Sequence, residues 1–270
     1  MLKREVFKVY KEYAEKMEEQ YKIIKAEYNL EKNAEEICKL RGYTDEAYRQ
    51  FFIDNEIGSC SLYDSSLLGD DRFYTKMVTE SDHFLLQDRY NIDIRDIEGN
   101  LLALVGWYPD EKKYITTPSM FFAKEYVFYN IDEAYKLSWE KYNGLVFLVE
   151  GMFDTISLRV LGLPVLGTMG VTVKQPKAEQ LKLFRKVVGI PDGDKAGSRA
   201  FNIMDKKHCW DLPFGSTMIK IHEGELETEY GNLHVKDIDN ICSYFEHDTV
   251  RDYLLELAES KNEVEEFAWK

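Results

Sequence analysis

Acidic residues follow two short apolar runs in the second half of the chain, where they could support metal-assisted phosphoryl transfer. Glu150 follows the run at 145–149. Asp192 and Asp194 follow the run at 187–190. Such fully apolar runs are typical of strands buried on both faces of a parallel sheet. Ligands of open α/β sheets collect at the carboxyl ends of the strands, where these carboxylates would repel one another unless a hard cation such as Mg²⁺ bridges them.

Two further motifs lie between and beyond these positions. Gly167 and Gly170 bound a short loop and allow the backbone to approach a ligand closely, although ordinary strand-to-helix turns use glycine equally. Further along, Lys236 precedes the pair Asp237 and Asp239. The combined spacing of the four motifs is specific, whereas a Glu-Gly pair alone would carry almost no information.

This order of motifs resembles the TOPRIM domain shared by bacterial-type primases, topoisomerases and some nucleases, over roughly residues 144 to 242. The resemblance implies that Glu150 handles protons and helps to hold metal. It also implies that the chain binds two divalent ions, either Mg²⁺ or Mn²⁺. Their other ligands would be the aspartates Asp192, Asp194, Asp237 and Asp239. A supporting role falls to Asp154, Gly151, Gly167, Gly170 and Lys236. We expect Glu150, Asp192 and Asp194 to surround one solvent-facing pocket, with Asp237 and Asp239 at its edge.

The same residues admit other interpretations. Asp194 could cap a helix that begins at Lys195, and capping is compatible with metal binding. An EF-hand loop is excluded because its fifth and twelfth positions would be Ala196 and Ile203, and no P-loop occurs. A phosphatase with an aspartyl nucleophile in Asp-x-Asp is the main rival, but it leaves Glu150 and the later acidic pair unexplained.

The region before residue 144 is similar to the catalytic core of bacterial DNA primases. The similar segments are Leu40-Arg41-Gly42 with Phe51 and Phe52, Ile94-Arg95-Asp96 with Gly99, Lys113-Tyr114-Ile115-Thr116-Thr117-Pro118, and Phe122-x-Lys124 followed by Val127-Phe128-Tyr129. The resemblance to a primase core therefore covers about residues 36 to 242. It implies that Arg95, Lys113 and Lys124 face the metals and bind nucleotide or template phosphates. The alternative for each is a solvated surface charge.

The chain departs from that family in two places. No cysteine spacing suits a zinc ribbon, and about 28 residues follow Cys242, too few for a helicase-binding domain. We therefore expect a minimal, phage-like primase core that binds no zinc of its own. A replicative helicase and a separate zinc-ribbon protein are its candidate partner chains.

Composition limits the class of protein. A chain of 270 residues with 44% apolar residues is expected to be globular, and a net charge of −14 argues against nucleic-acid binding by bulk electrostatics. No long apolar run or basic leader is evident, so we expect no membrane partner and a cytoplasmic location, in the host cytoplasm if the protein is viral. The four cysteines are expected to be buried thiols.

Apolar periodicity predicts an α/β fold with a mostly parallel sheet flanked by helices. The resemblance implies that this sheet belongs to a TOPRIM domain, which follows an α+β primase subdomain. The expected parts are an amphipathic helix, the α+β subdomain, the TOPRIM domain and an acidic helical tail, at residues 1–35, 36–143, 144–242 and 243–270. The first helix is expected to pack on the chain's own body. The alternatives are a docking helix for a partner and a short coiled coil.

Local signals predict several element boundaries. Gly42 is expected to end one helix and Thr44 to cap the next. Alternating residues at 90–95 and 101–107 predict a β-hairpin in which Gly99 has a positive φ. Helical segments are also expected at 125–140, 153–161, 175–184 and 195–207.

These resemblances imply a DNA primase-like nucleotidyltransferase that makes short RNA primers on a single-stranded DNA template from nucleoside triphosphates. In that reaction a 3′-hydroxyl attacks an α-phosphate, and two ions about 3.5–4 Å apart stabilise the attacking and leaving oxygens. The alternatives are a TOPRIM nuclease and a non-catalytic nucleic-acid-binding accessory protein of replication.

Overall fold

The computed structural model divides the chain into two compact units, residues 1–123 and 124–270. The residues described are 2–109, 113–119, 121–170, 173–193, 212–213, 215–228, 231–259 and 264–266. The boundary between the units differs from the one predicted at residue 143, because the helix Ile131–Lys141 packs against the strands that follow it. The predicted separate part at 1–35 also differs, since its helix belongs to the first unit.

Three helices open the first unit: α1 (Leu2–Ala26), α2 (Leu30–Arg41) and α3 (Glu46–Asp54). Gly42 ends α2 in the left-handed region with φ 75°, as its position predicts. The N-cap of α3 is Asp45 rather than the predicted Thr44, because the Asp45 carboxylate accepts a hydrogen bond from the Ala47 N–H.

One face of α1 is buried in the core of the first unit. Tyr13, Met17, Tyr21 and Ile24 are each at most 2% exposed and pack against side chains from the following loops and from the antiparallel sheet. The prediction that this helix packs on the chain's own body is therefore confirmed for this stretch. Val6 is 56% exposed, so the apolar stripe does not stay buried as far as the first turns.

An antiparallel sheet completes the first unit, with its strands in the order β1 (Tyr90–Arg95), β2 (Leu101–Tyr108) and β3 (Lys113–Thr116). The predicted hairpin is confirmed, and Gly99 in its turn has φ 82°. Two short 3-10 helices, Ser65–Leu68 and Asp70–Arg72, lie between α3 and β1.

A parallel sheet of five described strands forms the centre of the second unit. The strands are β4 (Leu145–Val149), β5 (Val165–Gly167), β6 (Lys186–Gly189), β7 (Thr217–Lys220) and β10 (Val264–Glu266). Their order across the sheet is β10-β7-β6-β4-β5, and every pairing is parallel. Phe147 and Val188 are completely buried in the core on this sheet. The predicted α/β fold class is thus confirmed.

Helices flank this sheet: α4 (Ile131–Lys141), α5 (Met152–Val160), α6 (Gln175–Glu179), α7 (Ile238–Tyr244) and α8 (His247–Glu259). The helix predicted for 175–184 is α-helical only to Glu179 and continues as a 3-10 helix over Gln180–Leu183. A short antiparallel hairpin of β8 (Gly224–Thr228) and β9 (Gly231–Val235) precedes α7. The helix predicted at 195–207 lies outside the described residues.

The stretch predicted as a helical tail is part of the second unit. Val250 and Leu254 on α8 are buried in the same core as Phe147. Beyond that helix, Val264–Glu266 forms β10 and pairs with β7. The predicted helical tail is thus helical over His247–Glu259, whereas Val264–Glu266 is a strand of the sheet, a difference from the prediction.

Candidate active site

The first acidic motif lies at the junction of β4 and α5. Glu150 directly follows β4, and Gly151 is the N-cap of α5. The Asp154 carboxylate accepts a hydrogen bond from the Gly151 N–H through Oδ2, at 3.1 Å. A Cβ on Gly151 would collide with that carboxylate, so this closed turn requires glycine. The turn fixes the backbone on the helical side of Glu150.

Asp154 connects the first motif to the last one. Its Oδ1 accepts a hydrogen bond from the Asp239 N–H at 3.3 Å, and the Ser157 hydroxyl donates to Asp239 Oδ1 at 2.5 Å. Burial raises the pKa of Asp154 well above its usual range. The carboxylates that raise it further are, in order of effect, those of Asp237, Asp239 and Asp192. Four aspartates from three motifs therefore interact electrostatically.

Asp154, predicted as a supporting residue, lies at the centre of the cluster with 7% of its surface exposed, and that role stays a prediction. The network differs from the sequence-based expectation at Asp239. Asp239 is predicted at the edge of a solvent-facing pocket, but it is only 3% exposed. Ser157 is absent from the predicted site residues. The available signal was its spacing of three residues from Asp154, which places both on one helix face.

The loop after β5 is fastened to the end of β4. The Thr168 N–H donates to Val149 O at 2.9 Å, and the Met169 N–H donates to Glu150 O at 3.0 Å. These bonds hold the loop against the end of β4 beyond the last paired residues, Val149 and Gly167. The peptide of Glu150 is consequently held from the side of β5 as well as through the turn into α5.

The two glycines of this loop differ in their requirements. A Cβ on Gly167 would lie 2.5 Å from the Thr155 hydroxyl, so the close packing of β5 on α5 requires glycine there. Gly170 has φ 128°, a backbone conformation that residues with a side chain rarely adopt. Both observations explain these glycines by local structure, and a direct role in ligand binding stays a prediction.

The loop after β6 is tied to the last acidic motif. The Gly193 N–H donates to Lys236 O at 2.7 Å, which brings the Asp192 loop beside the residue that precedes Asp237. The Asp237 side chain is the N-cap of α7 and accepts a hydrogen bond from the backbone N–H three residues later, at 2.9 Å. Backbone contacts thus join the loops that carry the third and fourth motifs.

Gly193→Ala is expected to destabilise this junction. A Cβ at Gly193 would lie 2.7 Å from Glu223 N and 3.0 Å from Ile221 O, and backbone atoms cannot rotate away. Overpacking of this kind costs about 1–3 kcal/mol, so unfolding in urea should reveal a loss of stability in that range. Gly224→Ala is the matched control, because a Cβ at Gly224 has no neighbour within 4 Å. Equal stability of the two variants would contradict the packing argument.

The three basic residues predicted to bind phosphates differ in their surroundings. The Arg95 guanidinium pairs with Glu18 at 2.8 Å and with Asp93 at 2.6 Å, both within the first unit. Lys113 begins β3, and its side chain lies outside the described part of the structure. Lys124 is exposed and belongs to the unit that carries the acidic motifs. Phosphate binding stays a prediction for all three, and at Arg95 a phosphate would compete with two carboxylates.

The donor chemistry of the acidic cluster fits a hard divalent cation. Its groups are carboxylates whose repulsion helps to raise the pKa of Asp154, and a cation would relieve that repulsion. Within the described residues, no group of three or more His, Cys, Asp or Glu side chains is arranged to hold a metal ion. Asp194, a predicted ligand, lies outside those residues. Toprim domains generally bind Mg²⁺, and a two-ion site in this chain stays a prediction.

The cysteines of the described ranges behave as the predicted buried thiols. Cys38, Cys60 and Cys242 are buried and form no disulfide, whereas Cys209 lies outside these ranges. Burial raises the pKa of both Cys38 and Cys60 to about 11, so these thiols stay protonated and are poor metal ligands at neutral pH. None of the helices described has the length and hydropathy of a membrane span.

Comparison with known proteins finds relatives of this chain. A family described as Toprim-like matches residues 147–210. The DNA primase of Thermotoga maritima is 26% identical over 204 residues, which cover 71% of this chain and 36% of that protein. The chain therefore spans about a third of the length of this curated relative.

Solved primase domains have a similar fold. A DnaG primase catalytic domain bound to single-stranded DNA has a TM-score of 0.65 and 17% identity, and the match covers 90% of this chain and 80% of that one. The zinc-binding and RNA polymerase domains of the Aquifex aeolicus primase have a TM-score of 0.65 and 24% identity, and the match covers 89% of this chain and 61% of that one. The RNA polymerase domain of Mycobacterium tuberculosis DnaG has a TM-score of 0.62 and 18% identity, and the match covers 90% of this chain and 85% of that one.

The likeness extends well beyond the Toprim-like segment, because these solved domains match about nine tenths of the chain. The resemblance that the motifs imply, in the acidic unit and in the region before it, is confirmed at the level of fold. The chain has the fold of a DnaG-type primase catalytic core, and its residues 147–210 match the Toprim-like family.

Proposed function

We propose that this chain is a primase-type nucleotidyltransferase that makes short RNA primers on single-stranded DNA. The observation that carries the proposal is the hydrogen-bonded link between Asp154 and Asp239, with Asp237 and Asp192 close enough to raise the pKa of Asp154, in a fold shared with primase cores. Such a concentration of carboxylates would repel an anionic nucleic acid in a module that only binds. It suits a divalent-ion-assisted transfer of a nucleotidyl group.

Likeness to solved relatives suggests the substrates. One DnaG catalytic domain was solved with single-stranded DNA, and a Mycobacterium tuberculosis RNA polymerase domain was solved with a double-stranded DNA oligomer that has a 6-nucleotide overhang. By this likeness, we propose a DNA template strand and nucleoside triphosphates as the partners of this chain. The net charge of −14 favours weak, transient binding of the template, which suits an enzyme that releases its product.

Each group of residues would have its own part in the reaction. The ligands of the divalent ions would be Asp192, Asp194, Asp237 and Asp239, with Glu150 assisting. When bound, such ions stabilise charge on the attacking and leaving oxygens. Glu150, whose Oε2 is buried, would accept the proton of the primer 3′-hydroxyl. Lys124 would bind the triphosphate and so orient the α-phosphate for attack.

The test is incubation of the chain with labelled nucleoside triphosphates, Mg²⁺ or Mn²⁺, and single-stranded DNA. The assay is run with and without a zinc-ribbon protein. Formation of short labelled oligomers would support primer synthesis. Shortening of the DNA without new oligomers would instead identify a nuclease, and binding without either change would identify an accessory protein.

Lys124→Glu is expected to weaken nucleotide and single-strand binding and to flatten its salt dependence. Each phosphate contact contributes about one unit to the slope of log K against log salt, so loss of one contact should lower the slope by about one. Fluorescence anisotropy with a labelled oligonucleotide and with a nucleotide analogue, at several salt concentrations, measures both quantities.

The matched control for Lys124 is Lys141→Glu. Lys141 is exposed and ends α4, just before β4 begins, so it lies at the edge of the sheet opposite to Glu150. The control should bind like the wild type. If Lys124→Glu also binds with unchanged affinity and slope, the residue is an ordinary surface charge.

A further inference from the structure

Lys177 on α6 is a lysine with no exposed surface. Its ammonium group donates to Thr168 O at 2.6 Å and to Lys124 O at 2.7 Å. It also lies 4.8 Å from the centre of the Phe128 ring. An ammonium group is costly to bury unless its donors are satisfied, and lysine is among the residues least often fully buried. These contacts offset part of that cost.

Both carbonyls bonded by Lys177 belong to segments that carry predicted site residues. Thr168 is the residue whose N–H donates to Val149 O, and its neighbour Met169 donates to Glu150 O. The ammonium group is therefore connected to the peptide of Glu150 through one loop. Its second bond holds the backbone of Lys124, whose side chain is exposed and is the proposed triphosphate contact.

The electrostatic environment indicates that core packing alone is a poor reason for a lysine at this position. Burial lowers the pKa of Lys177 to about 7, the Glu125 carboxylate opposes this change, and the Lys124 ammonium adds to it. An apolar side chain of similar length would fill the same volume without that cost. It would leave the carbonyls of Thr168 and Lys124 without this donor.

We propose that Lys177 is a positioning residue that fixes the Lys124 backbone to the loop holding Glu150, so that the triphosphate contact and the proton acceptor keep a constant separation. The inference rests on the proposed function. Lys177 touches neither substrate nor metal in this proposal, and its effect on catalysis passes through the two carbonyls.

The experiment combines substitution at Lys177 with local hydrogen exchange. Lys177→Met keeps the apolar length and removes the donors. In this variant the amides of Thr168 and Met169 should exchange at least about tenfold faster, while amides of β1 and β2 are unchanged, because only local bonds are lost. Lys182→Met, an exposed lysine in the following 3-10 helix, is the control and should leave both sets unchanged.

A double-substitution cycle measures whether Lys177 and Lys124 act on nucleotide binding through the same contact. A purely structural role of Lys177 would not give this coupling. Lys124→Met and Lys177→Met should each raise KM for the nucleotide about tenfold. The KM of the double variant should also rise about tenfold rather than a hundredfold, because both substitutions act through one contact. A hundredfold rise, or exchange at Thr168 and Met169 equal to wild type, would overturn the proposal.

Two further results distinguish failure of the proposed function from failure of the role proposed for Lys177. If the wild-type chain neither binds nucleotide nor makes oligomers, the proposed function fails, while the exchange data still decide whether Lys177 fixes the loop. If Lys177→Met does not fold, Lys177→Gln replaces it, since the shorter amide keeps one donor group. That variant should show intermediate exchange and KM, and wild-type values in both would again overturn the proposal.

Discussion

Asp192→Asn is expected to reduce primer synthesis by at least about a thousandfold while the protein stays folded. Stabilisation of transition-state charge by a bound ion contributes several kcal/mol, and each 1.36 kcal/mol corresponds to about a tenfold change in rate. Asp192 is also one of the charges that raise the pKa of Asp154. Its neutralisation relieves repulsion in the cluster, so the free energy of unfolding should stay constant or rise.

The measurements for Asp192→Asn are labelled-oligomer synthesis over a range of Mg²⁺ concentrations and unfolding in urea. Asp252→Asn on α8 is the control, since this exposed aspartate pairs with Arg251 on the helix surface. The control should retain both activity and stability. Near-normal synthesis by Asp192→Asn at limiting Mg²⁺ would disprove its assignment as a metal ligand, and the same expectation applies to Asp194→Asn.

Glu150→Gln is expected to slow primer synthesis by about 10²–10⁴, the range associated with a positioned proton acceptor. The amide is nearly isosteric with the carboxylate but cannot take a proton. The turn that carries Glu150 is set by Gly151 and Asp154, so the fold should persist. Rapid-quench measurement of single-nucleotide addition at saturating substrate isolates the chemical step, and binding of template and nucleotide should change little.

Glu140→Gln serves as the control for this variant, because Glu140 is an exposed residue of α4. It should retain the wild-type rate. A Glu150→Gln enzyme with the wild-type rate would remove Glu150 from the catalytic residues. A variant that binds Mg²⁺ much more weakly, with its rate restored at high Mg²⁺, would show that Glu150 acts mainly as a ligand.

The central strands were predictable because their signal is local and strong. The run 145–149 is entirely apolar, and a parallel strand buried on both faces requires that composition. The glycine that ends α2 and the glycine in the β1–β2 turn were predictable for a similar reason, since a positive φ favours glycine. In each case one short segment contains the whole physical cause.

Other features could not be predicted because their causes lie far apart in the chain. Asp154 and Asp239 are 85 positions apart, and the bond between them depends on the packing of α5 and α7. Thr44 and Asp45 are both good capping residues, so pattern alone does not decide between them. The burial of Lys177 contradicts the usual behaviour of lysine. Val264–Glu266 carries two charges and no apolar alternation, which conceals a strand.

The pairing of β10 with β7 has a consequence for synthesis of the chain on the ribosome. Met218 of β7 pairs with Val264 of β10, which is translated 46 residues later. The edge of β7 that β10 covers therefore remains open while α8 and the residues after it are translated. Open edges can pair with other chains, and long-range contacts form slowly. The nascent second unit therefore exposes this additional edge from the emergence of β7 until that of β10.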